Sequence, residues 1–134
     1  MSRRRARELA FKALFQIDQS NSSSDAAFHY LLEQTHLSEK EAAFAWELIT
    51  NTLNNLDDID SKICKYTQEN ALERMPAVDK AILRLGAYEV AYAPGMEPVI
   101  AIDEAIELAK IYGDDSAPGF VNALLDRIKE EHGI

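Results

Sequence analysis

The sequence predicts an all-α protein, a compact bundle of about seven helices in which residues 1–134 form one domain. Three observations carry that expectation. Apolar residues recur at three- and four-residue spacings in seven segments, no stretch sustains the two-residue alternation of a half-buried strand, and the prolines, with Gly95 and Gly113, fall at the breaks. A chain of 134 residues can bury a hydrophobic core without disulfide or metal support.

The first segment, Arg3 to Gln19, places Ala6, Leu9, Ala10, Ala13, Leu14 and Ile17 on one helical face, and the polar run Ser20 to Ser24 stops it. Ser24 or Asp25 is the expected cap of a second helix that carries Phe28, Leu31 and Leu32 toward Thr35. Ser38 followed three residues later by Glu41 is a capping-box signature. It opens a third helix with Ala42, Ala45, Leu48, Ile49, Thr52, Leu53 and Leu56 on one face. Asp57, Asp58 and Asp60 suit the positive start of a fourth helix bearing Ile59, Ile63 and Tyr66.

Met75 and Pro76 mark a break, and a fifth helix is expected from Pro76 to Tyr92 with Val78, Ile82, Leu85 and Tyr92 inward, ended by Ala93, Pro94 and Gly95. Pro98 opens a sixth that buries Ile102, Ala105, Ile106 and Ala109, with Gly113 expected as a left-handed cap. The seventh begins between Ser116 and Pro118, carries Phe120, Val121, Leu124, Leu125 and Ile128, and frays at His132 to Ile134.

Net charge is −9, but its placement says more than its total. Residues 1–12 hold five basic side chains (Arg3, Arg4, Arg5, Arg7, Lys12) against Glu8, whereas the rest of the chain holds nine basic against 22 acidic. A basic tip on an acidic body implies that the tip meets an anion while the body repels indiscriminate nucleic-acid binding and attracts a basic protein.

Several function classes are disfavoured. The single cysteine, Cys64, cannot form an intrachain disulfide, and its apolar setting fits a reducing, cytoplasmic compartment. The N-terminal arginines are not followed by an apolar signal segment, and no run approaches the roughly 18 apolar residues of a membrane span. The aspartates at 57–60 lack the glycine and terminal glutamate of a calcium loop. His29, His36 and His132 lie too far apart in sequence to read as zinc ligands. With no phosphate loop and no nucleophile elbow, the expectation is a binding protein, not an enzyme, and one without a cofactor.

The arginine arm is the sharpest local signal. Cations in the first turn of a helix oppose the macrodipole by about 0.3 to 1 kcal/mol each, so four of them are not explained by stability. Guanidinium forks beside exposed helix N-terminal amides make a phosphate site, and short basic segments order on RNA. In the last helix Asn122 reads as a buried amide held by an interhelix hydrogen bond, or else as a partner contact. Phe120 reads as core, or as a platform for a splayed base.

Taken in order, Arg3-Arg4-Arg5-Ala6-Arg7-Glu8 with Ala13-Leu14-Phe15, Val78 to Leu85 with Tyr88-Glu89, Ala101 to Lys110, and Phe120-Val121-Asn122 through Leu125-Asp126 resemble the NusB family of bacterial transcription antitermination factors. The resemblance implies two three-helix halves and a non-catalytic function. It implies binding of boxA RNA in nascent ribosomal RNA leader transcripts together with NusE, the small-subunit ribosomal protein, within an elongation complex with RNA polymerase. By the same resemblance Arg3, Arg4, Arg5 and Arg7 form the RNA-binding arm, Phe15 and Phe120 contact RNA, and Asp79 and Asn122 lie at the partner surface.

The chain also departs from the family pattern, with Phe15 where tyrosine is frequent, Asp103 for asparagine, Ala123 for glycine, and no lysine before Phe120. Two other readings remain open: a stand-alone relative of the substrate-recognition domain of RNA cytosine methyltransferases, and a purely protein-binding adaptor. A homodimer is also open, because an exposed apolar face and a core face share one periodicity.

Overall fold

A computed structural model describes residues 3–68, 70–93 and 95–132. Met1, Ser2, Glu69, Pro94, Gly133 and Ile134 lie outside the described residues, and with them part of the expected fraying at the C-terminus and the Pro94 break. The helices are α1 (Arg3–Ser20), α2 (Ser24–Glu33), α3 (Glu39–Asn54), α4 (Leu56–Lys65), α5 (Ala71–Arg74), α6 (Ala77–Ala91), α7 (Pro98–Tyr112) and α8 (Ala117–Glu131), and the described residues contain no strand. All seven expected helices are present. The addition is α5, whose four residues are too few to leave a periodic signal.

The caps show how local chemistry sets the boundaries. Ser38 and Glu41 form the full reciprocal capping box, the Glu41 amide donating to Ser38 Oγ at 3.1 Å and the Ser38 amide to Glu41 Oε1 at 2.9 Å. α2 is capped one residue earlier than the sequence suggests, by Ser23, whose Oγ accepts from the Ala26 amide at 3.1 Å. Gly113 is not left-handed: its φ is −92°. Space dictates glycine there, since a β-carbon would lie 2.5 Å from Ala117 Cβ and 2.9 Å from the Ala109 carbonyl oxygen.

Helices α1, α2 and α3 pack on one another, as do α6, α7 and α8, giving two three-helix halves joined where α6 lies against α1, α3 and α4. The sequence reading gave α6 one apolar face. In fact it is enclosed on nearly every side, with Ala81, Ile82, Leu83, Leu85, Gly86, Ala87, Tyr88 and Val90 all buried. Gly86 allows its close approach to α8, because a β-carbon there would sit 2.7 Å from Leu125 Cδ1.

Ion pairs fix the orientation of this central helix. Arg84 donates to both carboxylate oxygens of Asp60 on α4, at 2.9 and 2.8 Å, and Lys80 reaches Asp18 on α1 at 3.0 Å. Asp60 therefore holds two helices together in addition to sitting in the acidic start of α4. Cys64, read as part of the apolar pattern, is exposed. No helix is long and apolar enough to cross a membrane among the described residues.

Candidate nucleic-acid interface

The four arginines of α1 do not share one environment. Arg3, Arg4 and Arg5 are exposed, whereas Arg7 is only 4% exposed. The difference follows from helix geometry: Arg7 lies on the face that carries Ala6, Ala10 and Leu14 toward the second half of the molecule. There its Nε donates to both oxygens of Glu89 on α6, at 2.9 and 3.0 Å, and Nη1 lies 3.7 Å from Glu104 on α7. Burial pushes the Glu89 carboxyl upward, and the Arg7 charge and hydrogen bonds oppose that push. Arg7 was expected on a phosphate; the fold turns it inward as the pin between the halves.

The outer three are spread across the surface. Arg3 lies over the Phe44 ring with its guanidinium carbon 4.5 Å from the centroid. Arg4 meets Glu104 Oε2 through Nε at 3.1 Å and Nη2 at 3.0 Å. Arg5 donates to the His36 carbonyl at 2.7 Å.

From this end a continuous surface runs along α1. A cleft of about 320 Å³ borders Arg5, Glu8, Lys12 and His36. Lys12 and Leu31 also border the next, a more apolar cleft of about 480 Å³ that includes Phe11, Phe15, Val78 and Tyr112. Tyr112 packs against Phe11, ring centroids 5.1 Å apart, beneath the Lys12 ammonium 5.6 Å from its centroid. Its hydroxyl pKa is pushed up to about 12 by burial and by the hydrogen bond to Glu8, so it remains a neutral hydroxyl at physiological pH. Phe15 is half-buried in this cleft and lines it with an apolar ring.

Asp79 follows Val78 in the first turn of α6 and is 5% exposed. Its carboxylate finds no hydrogen-bond donor among the described residues, and burial, then the charge of Asp114, push its pKa up. Phe120 is not core: it is 38% exposed near the start of α8. Asn122 is exposed as well and makes no side-chain hydrogen bond among the described residues, so it is not the buried interhelix amide.

Sequence reasoning named the basic tip, Lys12 included, and Phe15, but not Tyr112 in the neighbouring cleft, nor Glu89 and Glu104 as the carboxylates that hold the arm's arginines. Glu89 had a readable signal, a carboxylate inside the otherwise apolar run of α6. Glu104 had none, because its partners stand some hundred positions earlier in the chain.

An all-helical bundle of two halves, with a cationic end continuous with an aromatic cleft, defines the class. The profile of the NusB family matches residues 4–130, and the chain belongs to that family. It is 50% identical over 131 residues to the transcription antitermination protein NusB of Syntrophomonas wolfei, covering 98% of each chain. It is 44% identical to that of Bacillus subtilis, covering 98% of this chain and 97% of the other. Among solved structures, T. maritima NusB superposes with a TM-score of 0.91 at 36% identity, covering 100% of this chain and 94% of that one. A crystal structure of antitermination factors NusB and NusE in complex with dsRNA superposes with a TM-score of 0.88 at 28% identity, covering 98% and 99%.

Proposed function

We propose that this chain is a non-catalytic transcription antitermination factor that binds boxA RNA of nascent ribosomal RNA leader transcripts together with the small-subunit ribosomal protein NusE, and that it acts in the RNA polymerase elongation complex. The observation that carries the reading is the division of the arm. Three guanidiniums stand exposed at the positive end of α1, where the macrodipole disfavours them, and one of them, Arg5, borders a cleft that shares Lys12 and Leu31 with the aromatic cleft of Phe15 and Tyr112. A polyanion offsets that cost, and unpaired bases suit the aromatic cleft.

In this reading Arg3, Arg4 and Arg5 hold phosphates, Phe15 and Phe120 contact bases, and Arg7 serves by anchoring α1. Asn122 offers its exposed amide to the protein partner, and Asp79 shapes the neighbouring loop through its repulsion of Asp114. The acidic body favours encounter with a basic ribosomal protein.

The test is a salt titration of boxA RNA binding by the chain with NusE. Affinity should fall steeply with salt, and replacing Arg3 and Arg5 by alanine should flatten the slope by about one unit or less per contact removed. An unchanged slope and affinity in that variant would sink the arm assignment, and methyl transfer to ribosomal RNA by the chain would overturn the non-catalytic reading.

A further inference from the structure

Two carboxylates and two guanidiniums meet where α1, α6 and α7 come together. Glu89 accepts from Arg7 Nε on both its oxygens, at 2.9 and 3.0 Å. Glu104 divides its oxygens: Oε1 lies 3.7 Å from Arg7 Nη1, and Oε2 meets Arg4 Nη2 and Nε at 3.0 and 3.1 Å. Arg7 is thus shared by both carboxylates, and Arg4 completes the neutralisation. Burial is uneven, with side-chain exposures of 5%, 3% and 17% for Arg7, Glu89 and Glu104 against 62% for Arg4. The charge that balances the group is the one a phosphate can reach.

The surroundings do little to replace it. Arg7 and Glu89 border a narrow gap whose other walls include Ile82, Leu85, Ala105 and Leu108. From α3 comes the Phe44 ring, and from the α6–α7 turn Met96, whose Sδ lies 3.8 Å from Arg7 Nη2. Nearby cations are Arg3, itself part of the exposed arm, and Lys110, which Glu107 holds at 3.5 Å. The other charges of α7 near this end, at Glu97, Asp103 and Glu107, are negative. Burial pushes the Glu89 carboxyl upward, the Arg7 charge and hydrogen bonds oppose that push, and the Glu104 charge adds to it. Drawing Arg4 away therefore leaves two carboxylates on one guanidinium in apolar surroundings, an imbalance that one proton shared by the pair removes.

We propose that Glu104 couples RNA binding to proton uptake: when an RNA phosphate takes Arg4 from Glu104, a carboxylate oxygen of the Glu89–Glu104 pair accepts a proton from the buffer, and Arg7 neutralises the charge that remains. The inference rests on the reading of the arm as the phosphate contact and adds that acid pH strengthens that contact. A proton taken up on binding favours the bound state as pH falls, and bound RNA in turn raises the proton affinity of the pair.

The experiment measures the affinity of the full chain with NusE for a boxA oligoribonucleotide at constant ionic strength from about pH 8 down to about pH 5.5. Calorimetry in buffers of different ionisation enthalpy counts the protons taken up. Affinity should rise toward acid pH by about threefold or more overall, with a limit of about tenfold per pH unit for one proton. Glu104→Gln should abolish both the uptake and the rise. Arg4→Gln, a change at an exposed side chain that leaves the fold intact, should bind more weakly and also take up no proton. Uptake that survives in either variant belongs to another group, such as His36 beside Arg5, and overturns the coupling. Absence of uptake in the parent, with binding that still depends on Arg3 and Arg5, overturns it too and leaves the arm standing. If the parent with NusE binds no RNA, both fall.

Discussion

The inner and outer ends of the arginine arm hold the same kind of ion pair in opposite surroundings. At the inner end, Arg7 and Glu89 are 5% and 3% exposed in their side chains and meet at 2.9 Å; at the outer end, the Arg4 side chain is 62% exposed and its partner Glu104 17%. The same chemistry, guanidinium on carboxylate, therefore serves two purposes one helical turn apart. Buried, it gives a pair whose removal by halves is costly; exposed, it gives a contact weak enough to be exchanged for a phosphate.

Removing one member of the inner pair should have the largest effect. Arg7→Ala leaves the Glu89 carboxylate buried without its counter-charge, and a loss of about 3 to 5 kcal/mol in urea unfolding is expected. Replacing both partners with apolar residues of similar volume, Arg7→Met with Glu89→Leu, should restore most of that stability. A double variant as unstable as the single one would show that the pair does not act as a unit. By contrast, Arg3→Ala with Arg5→Ala should leave unfolding within about 0.5 kcal/mol of the parent.

That contrast marks where the sequence stops being informative. Helix positions were legible because three- and four-residue periodicity and the Ser38–Glu41 capping box are local, and each names its own partners within a turn or two. The burial of Arg7 was not legible, because it depends on Glu89, 82 positions away, and on how two halves meet. Four arginines in five positions read alike until the fold sorts them. α6 failed the one-face reading for the same reason: its polar-looking side, with Glu89 and Tyr88, is covered by elements distant in sequence. For Phe120 and Asn122 the sequence left both a buried and a contact reading, and the fold exposes both, which removes the buried one.

Asp79 extends the comparison to a buried carboxylate with no counter-charge, and a smaller effect is expected there. Its folded-state pKa lies above the ordinary value through burial and the nearby Asp114, so the folded state holds the proton more tightly than the unfolded chain. Its stabilising contribution is fully present below the unfolded pKa and is lost as pH rises through the folded one. Asp79→Asn should then raise the melting temperature modestly near pH 7, with the gain shrinking toward acid pH. A gain that persists undiminished at acid pH would assign it to some cause other than the charge.

Glu104 joins the two ends of the comparison, since it touches both Arg4 and Arg7, and its replacement should affect stability far less than loss of Arg7. Glu104→Gln removes the charge and keeps one acceptor oxygen in place of the two that Arg4 and Arg7 meet separately. Arg7 retains Glu89, so unfolding should change by about 1 kcal/mol or less. RNA affinity should rise a few-fold at low salt, because Arg4 then leaves a neutral amide instead of a carboxylate to meet a phosphate, and the gain should fade as added salt screens the competition. If affinity instead falls, Glu104 is holding Arg4 in the orientation that RNA requires. The bridge between the inner and outer arginines would then be a positioning contact and not a competitor.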